Sequence, residues 1–409
     1  MTAGETQRKG LWFGALAVLV ICCGLLLNEY FIAFAFSPDG ELSASTKWQV
    51  RGLMGGLVAA GILLVLSRDR LETRALDVVR RHPNTSALVL GLSVSAGCIV
   101  LIEAVYHSLG TIRARRSEQV TQAPVLLPGT ATKASLTVRG EIVYDVAYNI
   151  DEHYARKTSS SARTAPATKD LYFFGGSFVF GEGVEDDETL PSIVARAAPD
   201  WRVTNFGFPG HGPAQMLQRL ESDAPLQDVA GADAMLVYVF IPGHVRRVIG
   251  SMRVATSWGR DFPRYALNAE DELVRLGNFS DSRPFISKAY AFLSRERILS
   301  YYNVDFPSRI GPKHLSLTTR VIADSRERLL ARFGSDEFYV VLYPSNPRDE
   351  FPAQDLVPYL DAVDVSYFDY TDLFDDGEGY WLPHDEHPTA LAHEALGARL
   401  VRDLGLEAF

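Results

Sequence analysis

Four short stretches carry residue types that can do chemistry together. Ser177 lies in Gly-Gly-Ser-Phe-Val-Phe-Gly-Glu-Gly, where the flanking glycines let the backbone turn tightly and leave the hydroxyl unobstructed. Asn205, Gly207, Gly210, His211 and Gly212 fall in NFGFPGHGP, Gly243 and His244 in FIPGHVRR, and Asp385 and His387 in LPHDEHPTA. A serine hydroxyl is a weak nucleophile until a nearby imidazole takes its proton, and a carboxylate on the far ring nitrogen fixes the tautomer and stabilises the imidazolium. Serine, histidine and aspartate meeting at one rim is therefore the arrangement for acyl transfer, with backbone N–H groups to hold the oxyanion.

The elements that must position these residues read as an alternation of strands and helices. Leu171–Phe174, Arg202–Phe206, Ala232–Ile241, Phe338–Tyr343 and Val365–Tyr370 are short apolar runs. Between them lie helical patterns over Thr189–Ala198, Pro213–Asp223, Leu317–Phe333 and Pro352–Ala362, with Thr389–Leu404 as a closing helix. Near-continuous apolar strands separated by helices predict an α/β fold, a three-layer α/β/α sandwich around a five-stranded, mainly parallel sheet. Ligands in such a sheet bind beyond the carboxyl ends of the strands, where the four stretches fall. Residues 245–316 interrupt the alternation and are expected to pack as a cap, with Trp258 and its other aromatics in a core. Residues 139–150 alternate as an edge strand or hairpin does, and 111–135 read as a linker, placing the domain at 136–409.

The first 110 residues are a different material. They hold 9 Lys/Arg and 8 Asp/Glu, a net of +1, so the remainder carries −11 of the overall −10. Three apolar runs, at about 11–30, 48–67 and 86–106, predict an α-helical membrane portion with three transmembrane helices, since crossing ~30 Å of hydrocarbon takes about 20 residues. Arg68, Arg70, Arg74, Arg80 and Arg81 in the loop between the second and third runs place that loop in the cytoplasm, as Arg8 and Lys9 do for the N-terminus. The expectation is a multi-pass protein of the cytoplasmic (inner) membrane whose C-terminal domain is extracytoplasmic. Glu103 reads as a carboxylate snorkelling to the interface. The acidic balance argues against a nucleic-acid partner. Cys22, Cys23 and Cys98 all lie in the apolar runs, which excludes disulfides and thiol catalysis from the rest of the chain. No cluster has metal-ligand spacing, so neither a metal nor another cofactor is expected.

The motifs resemble those of the SGNH (GDSL-type) hydrolases. GGSFVFGEGVEDDETLP is similar to the block that carries their nucleophile, NFGFPGHGPAQML to the block with an oxyanion-hole glycine, and HDEHPTALAHEALG to the last block, over about residues 170–403 without the insert. The resemblance implies that Ser177 is the nucleophile, His387 the base and Asp385 its orienting acid, with the N–H groups of Ser177 and Gly207 in the oxyanion hole. The family's third block supplies an Asn donor. This chain has Pro242-Gly243-His244 there, which leaves His244 as the candidate third donor. The last block is often Asp-x-x-His, but here Asp385 and His387 are separated by one residue, and position 384 is a histidine. Asn205, His211 and Arg246 are the expected substrate contacts, with Arg246 and Arg247 able to hold an anion or to be ordinary surface arginines. His393, in the closing helix, reads as structural. The implied activity is a membrane-anchored serine esterase cleaving acyl or acetyl esters of an envelope lipid or polysaccharide. The alternatives are an O-acetyltransferase using the same site, and a catalytically impaired module that binds a glycan or an assembly partner.

Overall fold

The computed structural model describes residues 11–26, 44–82, a few positions between 84 and 103, and most of 119–406. The chain divides into two compact units, Met1–Ser117 and Glu118–Phe409.

In the first unit, helix α1 spans Leu11–Leu26 and helix α2 spans Ala44–Arg81. They pack together where Gly61 has no side chain: a Cβ there would lie 3.1 Å from the Ala17 carbonyl and against Ile21. Leu16, Val18, Leu19 and Leu25 of α1, and Ile62, Leu63 and Leu66 of α2, remain exposed. The apolar run expected as the second span continues without a break into the arginine-rich segment, within one helix of 38 residues. Among the described residues, no helix is long and apolar enough to cross a membrane. The third expected span, 86–106, lies almost wholly outside the described residues.

The second unit opens with an antiparallel sheet in which β1 (Gln119–Gln122), β2 (Ala131–Val138) and β3 (Glu141–Asn149) lie in chain order. Two of these strands begin inside the segment expected as a linker, so the unit starts at Glu118 rather than at 136. β1 and β2 are polar strands, which is why they read as linker. Only Ala134, Leu136 and Val138 of β2 are buried, and they form a small separate core with Tyr144, Tyr148, Ile150 and Phe180.

The main sheet follows. It is built from β4 (Lys169–Phe174), β5 (Trp201–Asn205), β6 (Ala234–Phe240), β9 (Phe338–Leu342) and β10 (Tyr367–Asp369), ordered β10-β9-β6-β4-β5. Every pairing is parallel. Helices α3 (Ser177–Phe180), α4 (Leu190–Ala197) and α5 (Pro213–Glu221) connect the first three strands. Alternation along β6 serves both faces. Leu236, Tyr238 and Phe240 join one core with Met216 and Leu220 of α5, and Met235, Val237 and Val239 join the other with Leu190 and Val194 of α4. The expected three-layer α/β/α sandwich is therefore present, and its sheet is wholly parallel. Chain direction across the sheet reverses between β4 and β6, and the crevice at such a switch point is where ligands bind.

After β6 the chain forms α6 (Gly243–Ile249), α7 (Met252–Thr256), the antiparallel hairpin β7–β8 (Pro263–Leu267 and Leu273–Asn278), then α8 (Phe279–Ser282), α9 (Pro284–Leu293) and α10 (Arg297–Tyr301). Helix α11 (Pro312–Phe333) closes the insert and starts five residues earlier than the apolar stripe predicts. Tyr265 and Phe279 of the insert are buried, but Trp258, Phe285 and Phe292 are exposed, against the expectation that these aromatics form a core. Helices α12 (Val357–Ala362) and α13 (Ala390–Asp403) complete the unit, with Leu396 and Leu400 of α13 on the α4 face.

Candidate active site

β4 ends at Phe174, and Gly175-Gly176 lead into the single turn of α3, which begins at Ser177. The turn is held from behind by a buried cation. Arg156, 1% exposed, donates from Nη1 to the Phe180 carbonyl (2.8 Å) and the Gly181 carbonyl (2.5 Å), and from Nη2 to the Val184 carbonyl (2.7 Å). Its Nε donates to Asp186 at 2.7 Å. Burial depresses the Arg156 pKa and Asp186 opposes that shift, so the pair keeps the charge inside the protein. Gly181 and Gly183 both adopt φ near the left-handed region (84° and 88°), which a side chain resists. The Gly183 N–H donates to the Tyr148 hydroxyl at 2.9 Å.

Across the rim, His387 Nε2 lies 2.8 Å from Ser177 Oγ, and His387 Nδ1 lies 2.5 Å from Asp385 Oδ1. The carboxylate accepts a hydrogen bond from Nδ1–H, which fixes the tautomer that leaves the Nε2 lone pair facing the serine hydroxyl. The one-residue spacing works because the same Asp385 oxygen also accepts the backbone N–H of His387 at 2.8 Å, closing a local turn. His384 enters that turn at φ 61°, an uncommon conformation for a residue with a side chain. The His387 ring packs edge-on against Phe178, with centroids 5.6 Å apart.

Burial disfavours the His387 imidazolium, and Arg247 acts in the same direction. The hydrogen bond to Asp385 and the charges of Glu182 and Asp385 outweigh them and raise its pKa above 6.5. Glu182 is a neighbour the motif reading missed: its Oε2 lies 3.4 Å from the same Nε2 that faces Ser177. The available signal was an acid between two glycines directly after the nucleophile turn.

The remaining expected site residues divide sharply. The Ser177 N–H stands at the start of α3, where a helix N-terminus leaves donors free for an oxyanion. Gly207 is different, because its N–H already donates to Asn205 Oδ1 at 3.0 Å. Glycine is needed there for packing: a Cβ would come within 2.7 Å of Val179. Asn205, fully buried, also donates from Nδ2 to the Val179 carbonyl at 3.0 Å, so it braces the turn that carries Ser177 and presents no surface of its own.

His244 is 1% exposed, with its Nδ1 2.5 Å from the Tyr238 hydroxyl and its Nε2 sealed without a partner behind Gly176. Burial and the nearby Arg247 hold it neutral. Sealed in this way, its Nε2 presents no exposed surface to a substrate oxygen. Arg246 donates two 2.6 Å bonds to Glu350, and further bonds to Asp305 at 3.2 Å and the Pro307 carbonyl at 3.0 Å; these tie α6 to the end of the insert and to the segment after β9, so its donors are already engaged.

Arg247 is the arginine that faces the site. It donates to the His211 carbonyl, and its Nη1 would clash with any side chain at Gly176. Positions 244 and 247 are three apart on one helix and share a face, which is the pattern that separates Arg247 from Arg246. His211 itself is half-buried, with its ring 4.6 Å from Phe208 and 5.7 Å from Phe262. Burial and the charges of Arg247 and Arg219 push its pKa down to about 3. It lines a cavity of about 500 Å³ with Phe206, Phe208, Met216, Arg219 and Phe262, and remains a candidate substrate contact there. His393 is fully buried in α13. Among the described residues, no group of histidine, cysteine or carboxylate side chains could hold a metal.

No protein-family model matches the chain, and no curated protein sequence does. Solved structures similar to it include a member of the lipolytic protein G-D-S-L family from Veillonella parvula, at 11% identity and TM-score 0.35, covering 57% of this chain and 97% of that one. A putative lipolytic protein of the same family from Desulfitobacterium hafniense matches at 11% identity and TM-score 0.33, covering 57% and 98%. An acetyl xylan esterase from Butyrivibrio proteoclasticus matches at 11% identity and TM-score 0.34, covering 60% and 66%.

Proposed function

We propose that this chain is a serine esterase that works through an acyl-enzyme, and that the Ser177–His387–Asp385 relay is its machinery. The observation that carries the reading is the unbroken chain of contacts, 2.8 Å from hydroxyl to imidazole and 2.5 Å from imidazole to carboxylate, at the strand ends where the sheet direction switches. Ser177 Oγ attacks the ester carbonyl as its proton passes to His387 Nε2. The Ser177 N–H stabilises the oxyanion. His387 then protonates the departing alkoxide, and a second hydroxyl takes the acyl group by the reverse route.

When that hydroxyl is water the enzyme is an esterase, and when it belongs to a sugar the same site is an O-acetyltransferase. The reading as an impaired binding module is the weaker one, because nucleophile, base and acid are all within hydrogen-bonding reach. The substrates are acyl or acetyl esters of an envelope lipid or polysaccharide, and the domain works outside the cytoplasmic membrane on an anchor formed by the first 110 residues. The exposed apolar faces of α1 and α2 and the five arginines after the second run support that placement.

A fluorophosphonate probe tests the core of the reading. It should label the full-length protein at Ser177, and p-nitrophenyl esters from acetate to long chain should be hydrolysed with a ~10⁴-fold or greater loss of kcat in Ser177→Ala. Folded wild-type protein that takes no label and cleaves no ester would sink it. Preference within the ester panel distinguishes carbohydrate acetates from lipids.

A further inference from the structure

Two acceptors face the space in front of Ser177. One is the Nε2 lone pair of His387. The other is the Glu182 carboxylate, 3.4 Å from it. In the resting site Nε2 is occupied by the Ser177 hydroxyl at 2.8 Å, and a carboxylate has no proton to offer a neutral imidazole, so Glu182 adds no hydrogen bond there. The situation changes once Ser177 is acylated. Its Oγ no longer carries a hydrogen, Nε2 is free, and two acceptors stand side by side.

The protein builds this deliberately constrained arrangement from costly parts. The two left-handed glycines on either side of Glu182, the three carbonyls gathered by Arg156 and the Tyr148 hydroxyl on Gly183 all fix the turn. Among the described residues, Glu182 has no ion-pair partner other than His387.

We propose that Glu182 orients the hydroxyl that consumes the acyl-enzyme, and that it selects an acceptor with two hydrogens to donate: water, or a vicinal diol such as a sugar ring presents. The attacking O–H gives its proton to His387 Nε2 while its oxygen bonds to the acyl carbon. The second hydrogen, on water or on the neighbouring hydroxyl, is held by Glu182. As the tetrahedral intermediate collapses, the Oγ–acyl bond breaks and His387 returns the proton to Ser177. A monohydric alcohol can satisfy only one of the two acceptors. Glu182 also explains part of the raised His387 pKa, since its charge favours the imidazolium.

This inference rests on the acyl-enzyme reading, and the experiment separates the two. Full-length protein is acylated with p-nitrophenyl acetate in the presence of equal concentrations of 1-propanol or 1,2-propanediol, and the ratio of propyl or propanediol ester to free acetate is measured. Wild type should favour the diol by about tenfold or more, the worth of one hydrogen bond to a charged group. Glu182→Leu should form the acyl-enzyme, release p-nitrophenol in a burst and lose the diol preference. Glu182→Gln keeps an acceptor without the charge, so it should retain much of the preference while its acid pH limb moves down. A Glu182→Leu variant with wild-type diol preference overturns the proposal. If Glu182→Leu does not fold, Glu182→Ala serves in its place, and wild-type diol preference in that variant overturns the proposal. Absence of any acyl-enzyme in wild type overturns the esterase reading itself.

Discussion

The loops that follow β4 and β6 leave neighbouring strands at the same switch point, yet they treat their polar residues in opposite ways. After β4, buried Arg156, Asn205 and Tyr148 are spent on the backbone of the turn, and what reaches the rim is a serine and a glutamate. After β6, the polar side chain itself is turned inward: His244 bonds Tyr238 and its second nitrogen is sealed. The difference teaches that a reactive group at a strand end needs its supporting backbone satisfied by other residues. A polar residue that must satisfy its own neighbours is not free to meet substrate.

Changes in the two loops should therefore give unlike signatures. The largest effect belongs to the brace of the first loop. Arg156→Met removes the charged partner of Asp186, which keeps only Asn149 as a donor, and takes one donor from each of three carbonyls, so a urea melt should show a loss of about 3–5 kcal/mol. A loss under ~1 kcal/mol would mean that the turn holds itself.

The second effect is in pH. His387 must be neutral to act as base, and its pKa is raised above 6.5 by Asp385 and Glu182 against the opposing effect of burial. The acid limb of kcat/KM should then lie above that value, with activity falling about tenfold per unit below it. For stability the sign is the reverse: the extra stability from protonated His387 is present below pH 6.5 and is lost as pH rises through the folded pKa.

A smaller effect is expected from His244→Leu, which should change kcat less than ~10-fold while lowering thermal stability. A loss of about 10²–10³ in kcat with Tm unchanged would identify His244 as an oxyanion donor and erase the contrast between the loops. The smallest effect on activity is that of Arg246→Gln. It should leave kcat/KM unchanged for neutral esters and cost about 1–3 kcal/mol of stability, because the Glu350 pair is partly exposed but the Asp305 pair is largely buried.

Much of the fold is legible because it depends on pattern. The five strands are found within about two residues of their expected places: β4, β6 and β9 lie inside the sheet and are almost wholly buried, so they are apolar nearly throughout, and the edge strands β5 and β10 are marked by shorter apolar runs. β1 and the first half of β2 were hidden because short polar strands resemble linkers in composition, and the insert's aromatics did not reveal that several would face solvent. The serine, histidine and aspartate of the site are legible because acyl transfer restricts the residue types that can perform it. Which N–H is free is not legible. Gly207 looks like an oxyanion donor until Asn205 Oδ1 is seen to occupy its hydrogen. Likewise Arg246 and Arg247 are chemically identical in a string of letters, and only the face of α6 distinguishes the one bound to Glu350 from the one beside Gly176.

The amino-acid order by itself determined the alternation of strands and helices, the apolar character of the first 110 residues and the chemical types gathered at the strand ends. These follow from side-chain polarity and local backbone freedom, which are properties of short segments. The tertiary structure alone decided which donors were already taken, which arginine pointed inward and that Glu182 would stand beside the base. Hydrogen-bond capacity is limited, and its allocation is settled only when distant parts of the chain compete for the same atoms.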